Sequence, residues 1–106
     1  MNEDRIEELS KQIDSLAMDL ILPLQTSKTI NHQAVSQLLS ILGELEQLLA
    51  TKELVSKKIV GYLWTIFTLM LAEADHAKEP DPILSEAWKI ADRIDRIFGF
   101  HFPEPD

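Results

Sequence analysis

The chain contains no cysteine. That absence excludes a disulfide framework, thiolate zinc sites and thiol catalysis together, and it fits a reducing compartment. Glycine is equally scarce, with three in 106 residues, and these three are too scattered to build a phosphate-cradling loop. No run alternates apolar and polar residues as a half-buried strand would. The longest apolar stretch, Ile59 to Ala72, is interrupted by Gly61, Thr65 and Thr68. It falls short of the roughly 20 residues a membrane span needs, so it reads as a core helix. Positive charge is also short: ten Lys and Arg stand against eighteen Asp and Glu, a net charge of −8. Such a chain is repelled by nucleic-acid phosphates and anionic lipid surfaces. The segment Met1-Asn2-Glu3-Asp4-Arg5 is acidic where a secretory leader is basic, which leads to an expectation of a cytoplasmic protein.

What remains is helical periodicity, ended by proline. Apolar residues make up 45% of the chain, ordinary for a globular domain, and the length predicts one domain. A first helix is expected over residues 3–22, capped by Asn2. Its seam is Ile6, Leu9, Ile13, Leu16 and Leu20, and Pro23 marks its end. A second, capped by Asn31, is expected over 32–50. Val35, Leu38, Leu42, Leu45 and Leu49 form its stripe, flanked by Ala34, Ile41, Leu48 and Leu39 over roughly 180° of the wheel. A third is expected over 53–77, starting near Thr51 or Ser56, with an apolar arc of roughly 220°. Gly61, Thr65, Thr68 and Ala72 fill the rest of its circumference, as the thin exposed strip of a buried helix or as a row that lets another backbone approach. The fourth is expected over 82–98, with Asp81 as N-cap, Pro82 at the first helical position and Gly99 as a left-handed stop. The tail 99–106 is expected to be extended. Short links between four helices predict an all-α, antiparallel up-down four-helix bundle, with consecutive helices as neighbours.

No motif for catalysis emerges. Glu73-x-x-His76 is half of a di-iron motif, but His32 and His101 have no glutamate three residues before them, so no second half exists. Glu7, Glu8, Glu44, Glu46, Asp92 and Asp95 are scattered over three helices, where a magnesium site needs carboxylates converging on one cleft. Lys89, Arg93 and Arg96 form a basic stripe interrupted by Glu86 and Asp92, too weak for a recognition helix. A metal-dependent helical enzyme is therefore the least favoured reading, and neither metal nor cofactor is expected.

Residues 1–25 carry six acids and two bases, and residues 79–106 carry seven and three. Each segment is −4, so the two account for the whole net charge. Acidic balance confers solubility and can also steer a basic protein partner. The candidate contact residues are the acids Glu73, Asp75, Glu79 and Asp81, and the aromatics Trp64, Phe100 and Phe102.

In size, acidity and all-helical build the chain is similar to small immunity and antitoxin proteins, which neutralise a toxin by binding it. That likeness is one of architecture, carried by no motif. It implies a non-enzymatic interaction protein: an inhibitor, an adaptor or a small chaperone. The alternative is a self-associating structural or regulatory protein, its wide apolar faces buried in a homodimer.

Overall fold

The computed structural model describes residues 2–99. Four helices account for most of them: α1 (Asn2–Ser27), α2 (His32–Leu49), α3 (Lys57–Asp75) and α4 (Asp81–Phe98). They enclose one core. The expected seam of α1 is buried at Leu9, Ile13, Leu16 and Leu20, and every residue of the expected α2 stripe is buried with it. From α3 come Ile59, Leu63, Ile66, Phe67 and Met70, and from α4 Ile83, Ala87, Ile90, Ala91 and Ile94. The protein is an all-α four-helix bundle.

Polar ties fix the helix directions. Arg5 near the start of α1 meets Glu44 near the end of α2. Lys28, just past α1, meets Glu73 near the end of α3. The chain therefore alternates up, down, up, down. Its order around the core is not that of consecutive neighbours, however. α1 packs on α2 and α3, α4 packs on the same two, and α2 and α3 face each other across the diagonal. The link over residues 50–56 is long enough to cross one end of the bundle, so consecutive helices need not touch. α1 and α4 consequently occupy opposite corners, and the acidity of residues 1–25 and 79–106 is divided between the two.

Helix ends differ from expectation in α3, which runs Lys57–Asp75 rather than over 53–77, and more consequentially in α1 and α4. Pro23 lies inside α1 rather than at its end. Proline removes one amide and crowds the carbonyl four residues back, at a cost of about 3 kcal/mol. One further turn offsets this, because it buries Leu24 completely. Burial of a leucine contributes about 1.5–3 kcal/mol. Thr26 and Ser27 also donate their hydroxyls to the carbonyls of Leu22 and Pro23, at 2.8 and 3.2 Å. In α4, Asp81 is the first helical residue and Pro80 takes the cap position, with no side-chain cap.

Asn31 and Gly99 take the cap positions expected of them, Ser56 of the two expected starts caps α3, and Asn2, expected to cap α1, is instead its first helical residue. Asn31 accepts from the Ala34 amide at 3.1 Å, Ser56 accepts from Lys58, and Gly99 adopts φ 73° with its N–H on the Asp95 carbonyl.

Candidate functional site

The four acidic candidates do not share a single element. Glu73 and Asp75 belong to the last turn of α3, and Asp81 opens α4. Glu73 keeps only 16% of its side chain exposed and is paired with Lys28, so it joins two helix ends within the chain. Asp75, Glu79 and Asp81 are exposed. His76 is the C-cap of α3, its N–H on the carbonyls of Ala74 and Glu73. It closes the helix with right-handed helical torsions, φ −102° and ψ 0°, and the glutamate of Glu73-x-x-His76 is already paired with Lys28.

The loops following α1 and α3 come together at one end of the bundle, around an open cleft of about 650 Å³. Lys28, His32, His76, Lys78 and Glu79 contribute its polar groups, and Ile83 part of its apolar floor. Charge there is mixed. Lys28 is committed to Glu73, and His32 Nδ1 stands 3.8 Å from the buried Glu86, which Lys89 also contacts at 2.9 Å. The hydroxyls of Ser27 and Thr29 bond each other at 2.9 Å. Among the described residues no hydroxyl bonds either histidine, and no group of three or more His, Asp or Glu is placed to hold a metal ion.

At the opposite end, Arg5 donates to both oxygens of Glu44, with Nη2 to Oε1 at 2.7 Å, and its Nη1 lies 3.1 Å from Glu8. The Arg5 hydrogen bonds hold the Glu44 carboxyl below its ordinary range, and Arg5 is raised in turn. Glu3 is also lowered, by a backbone hydrogen bond first and then by Lys52, which reaches it from the α2–α3 link at 3.3 Å.

The wide apolar arcs of α2 and α3 have different fates. No large apolar residue of α2 is exposed; packed on α1 and α4 and facing α3 across the diagonal, α2 uses its arc as core. In α3 part of the arc reaches solvent. Trp64 is 60% exposed and Val60 39%, with Gly61, Thr65 and Ala72 also exposed. The small residues are thus the exposed strip of this helix, and Trp64 stands beside them. One turn on, Phe67 meets Trp88 of α4 edge to face, with centroids 5.8 Å apart, which identifies that side of α3 as the one turned towards α4. From Ile59 to Ala72 α3 carries no charged residue. Met18, Leu22 and Leu54 are exposed as well. The first two lie on the back of α1 among Asp14 and Asp19, and Leu54 lies in the link.

Of the other sequence candidates, Phe100 and Phe102 lie outside the described residues. Two features went unanticipated. Glu86 is buried at the contact of α4 with α2, although its position three after Ile83 and four before Ile90 already put it on the apolar face. The Arg5–Glu44 pair joins residues 39 apart in sequence, and no local pattern announces it. No helix among the described residues is long and apolar enough to cross a membrane. No family model, no curated protein and no solved structure matches the chain.

Proposed function

We propose that this chain acts by binding protein and is not an enzyme, with the outer face of α3 as its contact surface. One observation carries this reading: a charge-free helix face with Trp64 mostly in water, on a chain of net charge −8. An exposed tryptophan on a rigid helix supplies large contact area at little entropic cost, and tryptophan is enriched among the residues that dominate binding energy. The mixed charges around Glu79 and Asp81 make a less distinctive surface. The role is that of an inhibitor or adaptor, and the missing cysteine fits residence in the cytoplasm.

Affinity capture from the source cell tests the reading. Wild type, Trp64→Glu and a Glu79→Lys/Asp81→Lys pair serve as baits. A partner lost with Trp64→Glu and kept with the charge reversal is the expected result. Capture that survives Trp64→Glu and fails on charge reversal would transfer the function to the loop end.

A further inference from the structure

We infer that the partner lays a basic amphipathic helix in the groove between α3 and α4, with its apolar stripe on Trp64 and its lysines and arginines along the rims. The inference rests on the reading of α3 as a contact surface and names the chemistry of what binds there. Its first support is the shape of the apolar surface. Phe67 of α3 and Trp88 of α4 meet edge to face, which sets the register of the two antiparallel helices. Helical geometry then brings Trp64 level with Ala91, Val60 level with Asp95 and Leu71 level with Leu84. Trp64 and Val60 are exposed, and Leu71, Leu84 and Trp88 are half-buried beside the core. These five side chains line a furrow about 17 Å long, or three helical turns. A helix fills such a furrow by laying one apolar stripe along it.

The second support is charge. At about 100° per residue, Asp81, Asp92 and Asp95 fall within about 40° of Trp88 around α4, and Asp75 within about 20° of Trp64 around α3. Aspartates thus follow the α4 rim and stand at the far end of the α3 rim. Arg96 holds Asp92 at 3.2 Å. Among the described residues Asp75, Asp81 and Asp95 have no such partner, and Lys57 at the start of α3 is the cation left to set against the three. Lysines and arginines flanking an apolar stripe supply the missing counter-charge. The net charge of −8 adds attraction at long range for a cationic partner. A second copy of the chain, acidic along the same furrow, is repelled.

The contact strands no polar group. Thr65 lies about 100° round α3 from Trp64, on the side turned from α4, and stays in water. Thr68 keeps its hydroxyl on the Trp64 carbonyl at 2.8 Å. The aspartates are rim groups, which long basic side chains reach while their charged heads remain hydrated. Rim charges govern the rate of approach more than the lifetime of a complex. Charge reversal at Glu79 and Asp81 therefore slows capture without abolishing it, whereas Trp64→Glu abolishes it.

A labelled helical peptide of ~18 residues tests the inference, built of leucine and lysine with the leucines on one stripe. Two comparisons accompany it: a shuffled order without a stripe, and the striped order with glutamate in place of lysine. The striped lysine peptide should bind at least about tenfold more tightly than either. Trp64→Ala should speed its dissociation about tenfold, with an unchanged helical circular dichroism spectrum. Asp75→Asn/Asp95→Asn should slow its association at low salt and leave dissociation nearly unaltered, an effect that fades as salt rises. Asp4→Asn/Asp19→Asn makes the same change in net charge on α1, at the corner opposite α4, and should slow association less.

Absence of binding up to millimolar lysine peptide overturns the inference. A shuffled peptide that binds as tightly reduces the attraction to bulk charge and overturns it too, as does an association rate that responds equally to both pairs of substitutions. A glutamate peptide that binds as tightly and loses affinity on Trp64→Ala leaves the α3 contact surface standing and overturns only its basic occupant. Lysine-peptide binding indifferent to Trp64→Ala overturns both.

Discussion

Arg5 of α1 holds both carboxylate oxygens of Glu44 of α2, joining the start of one helix to the last turns of the next. The pair has a pH signature. Glu44 is lowered from its ordinary value of 4.5 by the Arg5 hydrogen bonds. Its contribution is fully present above pH 4.5 and is lost as pH falls through the depressed value. Denaturant melts taken from pH 6 down to pH 2 should show a fall in stability below about pH 4.5 that is shallower in Glu44→Gln. Glu46→Gln serves as control, and an acid limb unaltered by Glu44→Gln would deny the pair its role.

Lys28 has φ 54°, the single left-handed residue other than glycine among those described. Its N–H bonds the Leu24 carbonyl and ends α1, at a position that ordinarily favours glycine. The lysine side chain instead partners Glu73, which is mostly buried. Two effects then oppose each other in Lys28→Gly: relaxed backbone against an orphaned carboxylate. In a Glu73→Gln background only the first survives, and Lys28→Gly should stabilise by about 0.5–1 kcal/mol. With Glu73 intact the gain should shrink or reverse. Urea denaturation of the four proteins decides, and equal effects in both backgrounds would mean that Lys28 and Glu73 are uncoupled.

Pro23→Ala should stabilise the bundle by about 1–3 kcal/mol, because the amide it restores can bond the Asp19 carbonyl within a helix that already continues to Ser27. Leu24→Ala, which empties the site that anchors that last turn, should cost about 2–5 kcal/mol. Thermal and chemical melts measure both. A destabilised Pro23→Ala would show that the proline aims Leu24 into the core.

Gly43 sits inside α2 with nothing within 4 Å of a built Cβ. Gly43→Ala should therefore raise stability by about 0.5–1 kcal/mol through helix propensity and lost unfolded-state freedom. A loss on urea titration would reveal crowding that the open space denies.

Much of the bundle was legible in the chain because each helix records its own buried face at a fixed period. The stripe from Val35 to Leu49 is core because any neighbour would bury it, whichever neighbour that is. Caps are local in the same way: Asn31, Ser56 and Gly99 need only the residues within one turn. Pro23 was misread because its local penalty is fixed while the offsetting burial of Leu24 depends on other helices. The same limit applies to Glu73, whose lysine partner lies 45 residues away.

The sequence by itself determined that there are four helices, which stripe of each turns inward, and that α3 bears no charge between Ile59 and Ala72. Those properties follow from covalent order and helical period. Only the tertiary structure decided that α2 and α3 stand diagonal, that the wide arc of α2 is spent on core, and that α3 leaves Trp64 in water. Periodicity states which residues share a face. It carries no information on how many neighbours cover that face, since burial is a property of the packed assembly of helices.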